Sequence, residues 1–168
     1  MKLYEVYTEI LNEVGEGTSS PFPYDIDYDE SPSELGGDYI YEHTSVIKAE
    51  AKGKPLTVYL FMTQNEYGEQ LKPDELEVSF KTPKGKYDEV INDRVYLFRL
   101  MATIIEILKK TIKDRNIGRI SFEPSKAKGE KNTSALDTKR SRLYLAFMKK
   151  AFPGATIEEF GDEVIITL

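Results

Sequence analysis

Between residues 94 and 115, Leu97, Leu100, Met101, Ile104, Leu108 and Ile112 recur at spacings of three and four, so the pattern predicts a long amphipathic helix. Lys109, Lys110 and Lys113 crowd its last turns, where cations meet the negative end of the helix dipole, and Asn116 with Gly118 suits the stop. The next run, Ile117-Gly118-Arg119-Ile120-Ser121-Phe122, reads as a compact strand closed by Pro124, and a polar loop occupies 125–134. Ser134 and Asp137 have the spacing of a capping box, with Asp in place of the usual Glu. A helix over 135–151 is therefore expected, burying Leu136, Leu143, Phe147 and Ala151. Pro153 and Gly154 end it. Strands at 155–160 and 163–168 flank Gly161-Asp162, a two-residue connection with glycine first, as a type II′ turn requires.

The amino-terminal half is patterned differently. Residues 3–14 place Leu3, Val6, Tyr7, Ile10, Leu11 and Val14 on one helical face and Glu5, Glu9 and Glu13 on the other, predicting a short helix within 1–14. Residues 15–38 are rich in Pro, Ser, Gly and acid and read as a loop or tether, with Phe22, Tyr24, Ile26 and Tyr28 available to pin parts of it to the body. From Tyr39 the period becomes two. Runs at 39–51 and 55–63 flank Lys52-Gly53-Lys54, a third follows at 76–82, and the three form an antiparallel meander. The expected fold is α+β: a mixed, mostly antiparallel sheet with two main helices packed on it, in the order βββαβαββ, with the short helix in front and residues 39–168 as one domain.

Composition narrows the chemistry. The 168 residues contain no cysteine, which excludes disulfides, zinc-thiolate sites and a cysteine nucleophile. No run reaches the ~20 apolar residues needed to span a bilayer, so no membrane partner is expected. The net charge of −6 is unevenly spread: residues 1–93 hold 8 lysines and no arginine against 20 acids, and residues 94–168 hold 15 basic residues against 9 acids. Lys126, Lys128, Lys131, Lys139, Arg140 and Arg142 surround the loop entering the second helix, and they form a candidate partner-binding cluster for phosphate or nucleic-acid backbone. No aromatic residue is interleaved there, which disfavours single-strand binding. Asp25, Asp27 and Asp29 imitate the first ligands of a calcium loop, but Glu30 and Gly36 stand where glycine and glutamate are needed, so no metal site is expected. His43, the single histidine, has no serine or cysteine partner motif.

The order of elements, with Asn116 to Phe122 after the long helix and Arg142-Leu143-Tyr144 running to Phe152, resembles the central and carboxy-terminal part of the GNAT acyltransferase superfamily, over roughly residues 39–168. That resemblance implies Tyr144 as the general acid that protonates a leaving thiolate, and it implies acetyl-CoA as cofactor if the chain is an active N-acetyltransferase. Arg94 and Arg99, near the start of the long helix, are the candidate cofactor contacts, and Glu42, Glu50 and Glu77 lie on strands where an amine-deprotonating base sits. The family grips the cofactor diphosphate with a glycine-rich turn before the long helix. Here Val90 to Tyr96 contains no glycine and includes Asp93, so the leading expectation is a non-catalytic protein with no cofactor. In that superfamily the strands matching 76–82 and 117–123 splay to admit the pantetheine arm; a closed pair leaves no cleft.

A second resemblance, spanning about 60 residues, is to uncharacterised proteins of tailed bacteriophages, carried by Arg94, Val95, Phe98, Arg99, Ala102, Thr103, Ile120, Phe122, Arg142, Leu143 and Tyr144. It implies a phage origin and no reaction; with the acyltransferase-like order and the missing diphosphate turn, the expectation is an accessory protein acting in the host cytoplasm by binding a host or virion protein. Met1 to Tyr4, leading into the acidic helix, resembles the targeting leader of internal head proteins. Leu11-Asn12-Glu13 fits their processing signal, which implies cleavage between Glu13 and Val14 and a place in the virion interior; a helix docked on the domain is the other reading of the same residues.

Overall fold

The computed structural model describes residues 20–29, 40–51, 54–65, 75–81, 94–124, 129 and 132–168. The expected helix within 1–14 lies outside them. The described residues form an α+β fold with two helices and one mixed sheet. Its strands are β1 (Tyr24–Asp29), β2 (Ile40–Ala51), β3 (Lys54–Asn65), β4 (Glu75–Lys81), β5 (Arg119–Phe122), β6 (Thr156–Phe160) and β7 (Glu163–Thr167). Helix α1 (Arg94–Arg115) joins β4 to β5, and α2 (Lys139–Ala151) joins β5 to β6. The spatial order is β1-β2-β3-β4-β5-β7-β6. All neighbours are antiparallel except β4 and β5, and that parallel step needs a crossover such as the one α1 supplies.

The helix α1 has the bounds its periodicity predicts. Asn116 closes it in the left-handed region at φ 54, and the Ile117 N–H donates back to the Ile112 carbonyl at 3.1 Å, the long bond of a Schellman stop. Helix α2 begins later than expected. Ser134 caps only a single 3-10 turn, Ala135–Asp137, by accepting from the Leu136 N–H; Thr138 then caps α2 by accepting from the Ser141 N–H. Two N-cap residues in tandem split what the sequence suggests is one helix. The buried face of α2 is accordingly Ser141, Leu145 and Met148, while Leu143, Phe147 and Ala151 are only half-buried.

Residues 24–29 correct the reading of 15–38 as loop, because they form β1 and pair with β2 from Tyr24↔Ile47 to Asp29↔Glu42. Their aromatic and aliphatic residues alternate with aspartates, which is the period of an edge strand. Just before β1, residues 20–24 lie along α1 as a strap. Phe22 is buried against Tyr96 with ring centroids 5.0 Å apart, and its N–H donates to Thr103 Oγ1 at 2.8 Å. That hydroxyl donates in turn to the Arg99 carbonyl at 2.7 Å, and Tyr24 donates to Glu106 at 2.9 Å.

The core lies between the helices and one side of the sheet. Leu76, Ile120, Phe122, Val164 and Ile166 meet Leu100, Ile104, Ile107, Leu108, Leu145 and Met148 in one cluster. A fully buried aliphatic side chain contributes roughly 1.5–3 kcal/mol, so this layer supplies the main drive for folding. Because side chains alternate along a strand, the intervening residues Glu75, Glu77, Arg119, Ser121, Ile165 and Thr167 face away from the helices.

Candidate functional site

The ladder between β4 and β5 is short. It consists of Glu75↔Arg119, Leu76↔Ile120 and Glu77↔Ser121, and then it stops. Both strands continue with their other neighbours, β4 beside β3 as far as Lys81 and β5 beside β7 as far as Phe122. Because β5 ends at Phe122, one residue beyond the last pair, the sheet is forked here in its pairing: from Val78 to Lys81 the β5 side of β4 has no strand partner among the described residues. Such an unpaired edge presents a row of N–H and C=O groups to anything extended and amide-bearing.

Side chains from both faces of the sheet converge on this opening. On the helix side, Phe122 is the first β5 residue past the ladder, and the half-buried Tyr144 of α2 stands edge-on to it, ring centroids 6.0 Å apart. On the other side, Glu77 is the last β4 residue in the ladder. Partial burial pushes its carboxyl above the ordinary value, and the charges of Glu163, Glu123 and Glu75 push it further in the same direction. Beside it the Ser121 hydroxyl is fully buried and has no hydrogen-bond partner among the described residues. Arg119 bonds the buried Glu75 at 3.3 Å and completes the closed end of the fork.

The sequence-derived residues are distributed unevenly around this site. Tyr144 and Glu77 are at the opening. Glu42, Glu50 and His43 lie in β2, two strands away from β4. Arg99 is committed elsewhere: its Nε donates to the Ser20 carbonyl at 3.0 Å, its Nη2 to the Pro21 carbonyl at 3.3 Å, and its guanidinium covers the Phe22 ring at 4.1 Å. It serves the strap, a role its sequence context does not announce. Arg94 is the first residue of α1, and Lys139 and Arg140 are the first two of α2. Arg142 is exposed and pairs with the exposed Asp137 at 3.5 Å, a contact worth at most about 1 kcal/mol. Lys126, Lys128, Lys131, Glu13 and Val14 lie outside the described residues, as does the turn at 90–93 before α1.

Ser121, Glu123 and Glu163 are the site residues that sequence reasoning passes over. Each is unremarked in its own segment, and only the adjacency of β4, β5 and β7 assembles them. Among the described residues no helix is long and apolar enough to cross a membrane. Compared with family models, curated proteins and solved structures, the chain matches none.

Proposed function

We propose that this chain binds an acyl thioester of coenzyme A in the fork between β4 and β5 and transfers the acyl group to an amine. The observation that carries the reading is the short ladder: β4 and β5 pair over three residues only, which leaves Val78 to Lys81 unpaired on that side, in a sheet of order β1-β2-β3-β4-β5-β7-β6. A GNAT-like scaffold has this order, and an extended pantetheine arm matches an unpaired strand edge in both length and amide spacing.

The residues at the fork suit the chemistry. Glu77, its carboxyl raised above the ordinary value by partial burial and by the neighbouring carboxylates, is a stronger base toward the incoming ammonium than an ordinary carboxylate. The neutral amine nitrogen attacks the thioester carbonyl carbon, the C–S bond breaks, and the electron pair leaves on sulfur. Tyr144 gives its phenolic proton to that thiolate, the proton shed by the acylated nitrogen restores the phenol, and the products are an amide and the free thiol. Glu77 and Tyr144 approach from opposite faces of the sheet, which is feasible only where the sheet is open.

Titration calorimetry of the full chain with acetyl-CoA, followed by a thiol-release assay with primary amines, tests this. Micromolar binding with thiol release that falls in Tyr144→Phe supports the reading. Absence of binding at millimolar acetyl-CoA sinks it. One observation favours a second reading, a non-catalytic accessory protein of a tailed phage that binds a host or virion protein. Arg99, a candidate for the diphosphate, is already engaged by Ser20 and Pro21. That reading stands if acetyl-CoA does not bind.

A further inference from the structure

The side of the sheet turned away from the helices gathers a chemistry of its own beside the fork. Strand register places Glu75 and Glu77 of β4 next to Arg119 and Ser121 of β5, and these next to Thr167 and Ile165 of β7, with Glu163 one step farther along the same face. The charges of Glu163, Glu123 and Glu75 all bear on Glu77, so carboxylates from three separate stretches of chain share one neighbourhood. Among the described residues Arg119 is the cation bonded into this group, and it bonds Glu75. Glu77, Glu123 and Glu163 remain as a negative rim around the opening.

The floor of that rim is Ser121, a small residue set between the longer Glu77 and Ile165 on the neighbouring strands. It is 0% exposed, and its hydroxyl has no partner among the described residues. A buried hydroxyl left without a partner is destabilising, and a ligand donor placed there removes that cost. At the outer edge Phe160, 76% exposed, lies in register with Glu163, where its ring face adds a further attraction for a cation.

We infer that the acidic side of the fork seats an acyl acceptor with more than one alkylammonium charge, its reacting nitrogen beside Glu77 and Ser121 and a second charge beside Glu123 and Glu163. The inference rests on the transferase reading for the word acceptor, but the cation seat stands on its own geometry. One ammonium neutralises one carboxylate, so a singly charged amine leaves the rest of the rim mutually repelling. A free polyamine and a lysine-bearing peptide share this chemistry.

The test uses calorimetry on the full chain with spermidine, with an end-blocked Lys-Gly-Lys peptide, with n-butylamine as the singly charged control, and with acetyl-CoA in a separate titration. Spermidine or the peptide is expected to bind about tenfold tighter than butylamine, the combined effect of two partly exposed ion pairs, and to weaken as salt rises. The tighter of the two identifies the source of the alkylammonium groups. The double variant Glu123→Gln/Glu163→Gln is expected to abolish the advantage of spermidine over butylamine. Ser121→Ala is expected to weaken both amines with no loss of thermal stability, and Asp114→Asn on α1 to change neither. Equal affinity for butylamine and spermidine overturns the inference. So does binding of acetyl-CoA without binding of any amine, an outcome that leaves the transferase reading standing. Binding of spermidine that depends on Glu123 and Glu163, without binding of acetyl-CoA, overturns the transferase reading and keeps the cation seat.

Discussion

Replacing Arg99 with alanine separates two roles, the grip on a cofactor diphosphate that the resemblance implies and the clamp on the strap at residues 20–24 that its contacts show. The structure allows the clamp to be sized. Its two hydrogen bonds, 3.0 Å to Ser20 and 3.3 Å to Pro21, lie at or near the surface and contribute about 1 kcal/mol each. The guanidinium 4.1 Å above the Phe22 ring adds about 1 kcal/mol. Arg99→Ala is therefore expected to cost about 3 kcal/mol, provided that docking of the strap is itself worth that much. Urea unfolding followed by far-UV circular dichroism measures the global loss. Hydrogen exchange locates it, because β1 amides between Tyr24 and Asp29 should open well before those of α1. Thr103→Val leaves the buried Phe22 N–H without its acceptor and should cost about 1–3 kcal/mol. The double variant should lose less than the sum, since a strap once detached cannot be detached again. An Arg99→Ala protein that unfolds at the wild-type urea concentration, yet loses tenfold or more in acetyl-CoA affinity, refutes the clamp.

Three further outcomes are expected. Glu77 holds its proton more tightly in the folded chain than in the unfolded one, where it titrates near 4.5, so its contribution to stability falls as pH rises from there through its folded value. Glu77→Gln should remove that fall, giving a higher melting temperature than wild type at pH 7 and a vanishing difference at pH 4; a lower melting temperature at pH 7 contradicts the assignment. Burial pushes the Tyr96 phenol from 10.0 up to about 12, so stability should drop between those pH values, and Tyr96→Phe should flatten the drop in urea titrations run at pH 9 and 11. Arg119→Met strands the buried charge of Glu75 and should cost about 3 kcal/mol in urea unfolding, with much of the loss recovered in Arg119→Met/Glu75→Leu.

Long-period patterns were the most legible part of this chain. The stripe from Leu97 to Ile112 fixes α1 because twenty-two residues at helical spacing admit no other element, and the Gly161-Asp162 turn follows from local backbone chemistry, with Gly161 at φ 64 and Asp162 outside the positive-φ region. The strand at 24–29 was hidden by its composition: Asp25, Asp27 and Asp29 suggest an ion loop until Tyr24, Ile26 and Tyr28 are seen to alternate with them. Helix α2 was displaced because Ser134 and Thr138 are both competent caps, and spacing alone does not say which starts the longer helix. At the site, Tyr144 was visible through resemblance and Glu77 only as one of three strand glutamates. The acidic rim was not visible at all, because Glu77, Glu123 and Glu163 are separated by long stretches of sequence and meet only through strand adjacency.

The three-pair ladder between β4 and β5 also divides the sheet mechanically. On one side four antiparallel strands are held by long ladders, on the other three strands form a second antiparallel block, and the seam between them carries few main-chain bonds for its length. Helix α1 follows β4 and precedes β5 along the chain, and the two blocks are tied within themselves by more main-chain bonds than tie them to each other. Tension that pulls β3 away from β7 should thus part the molecule along this line first, so the width of the gap can respond to whatever occupies it while each block keeps its shape.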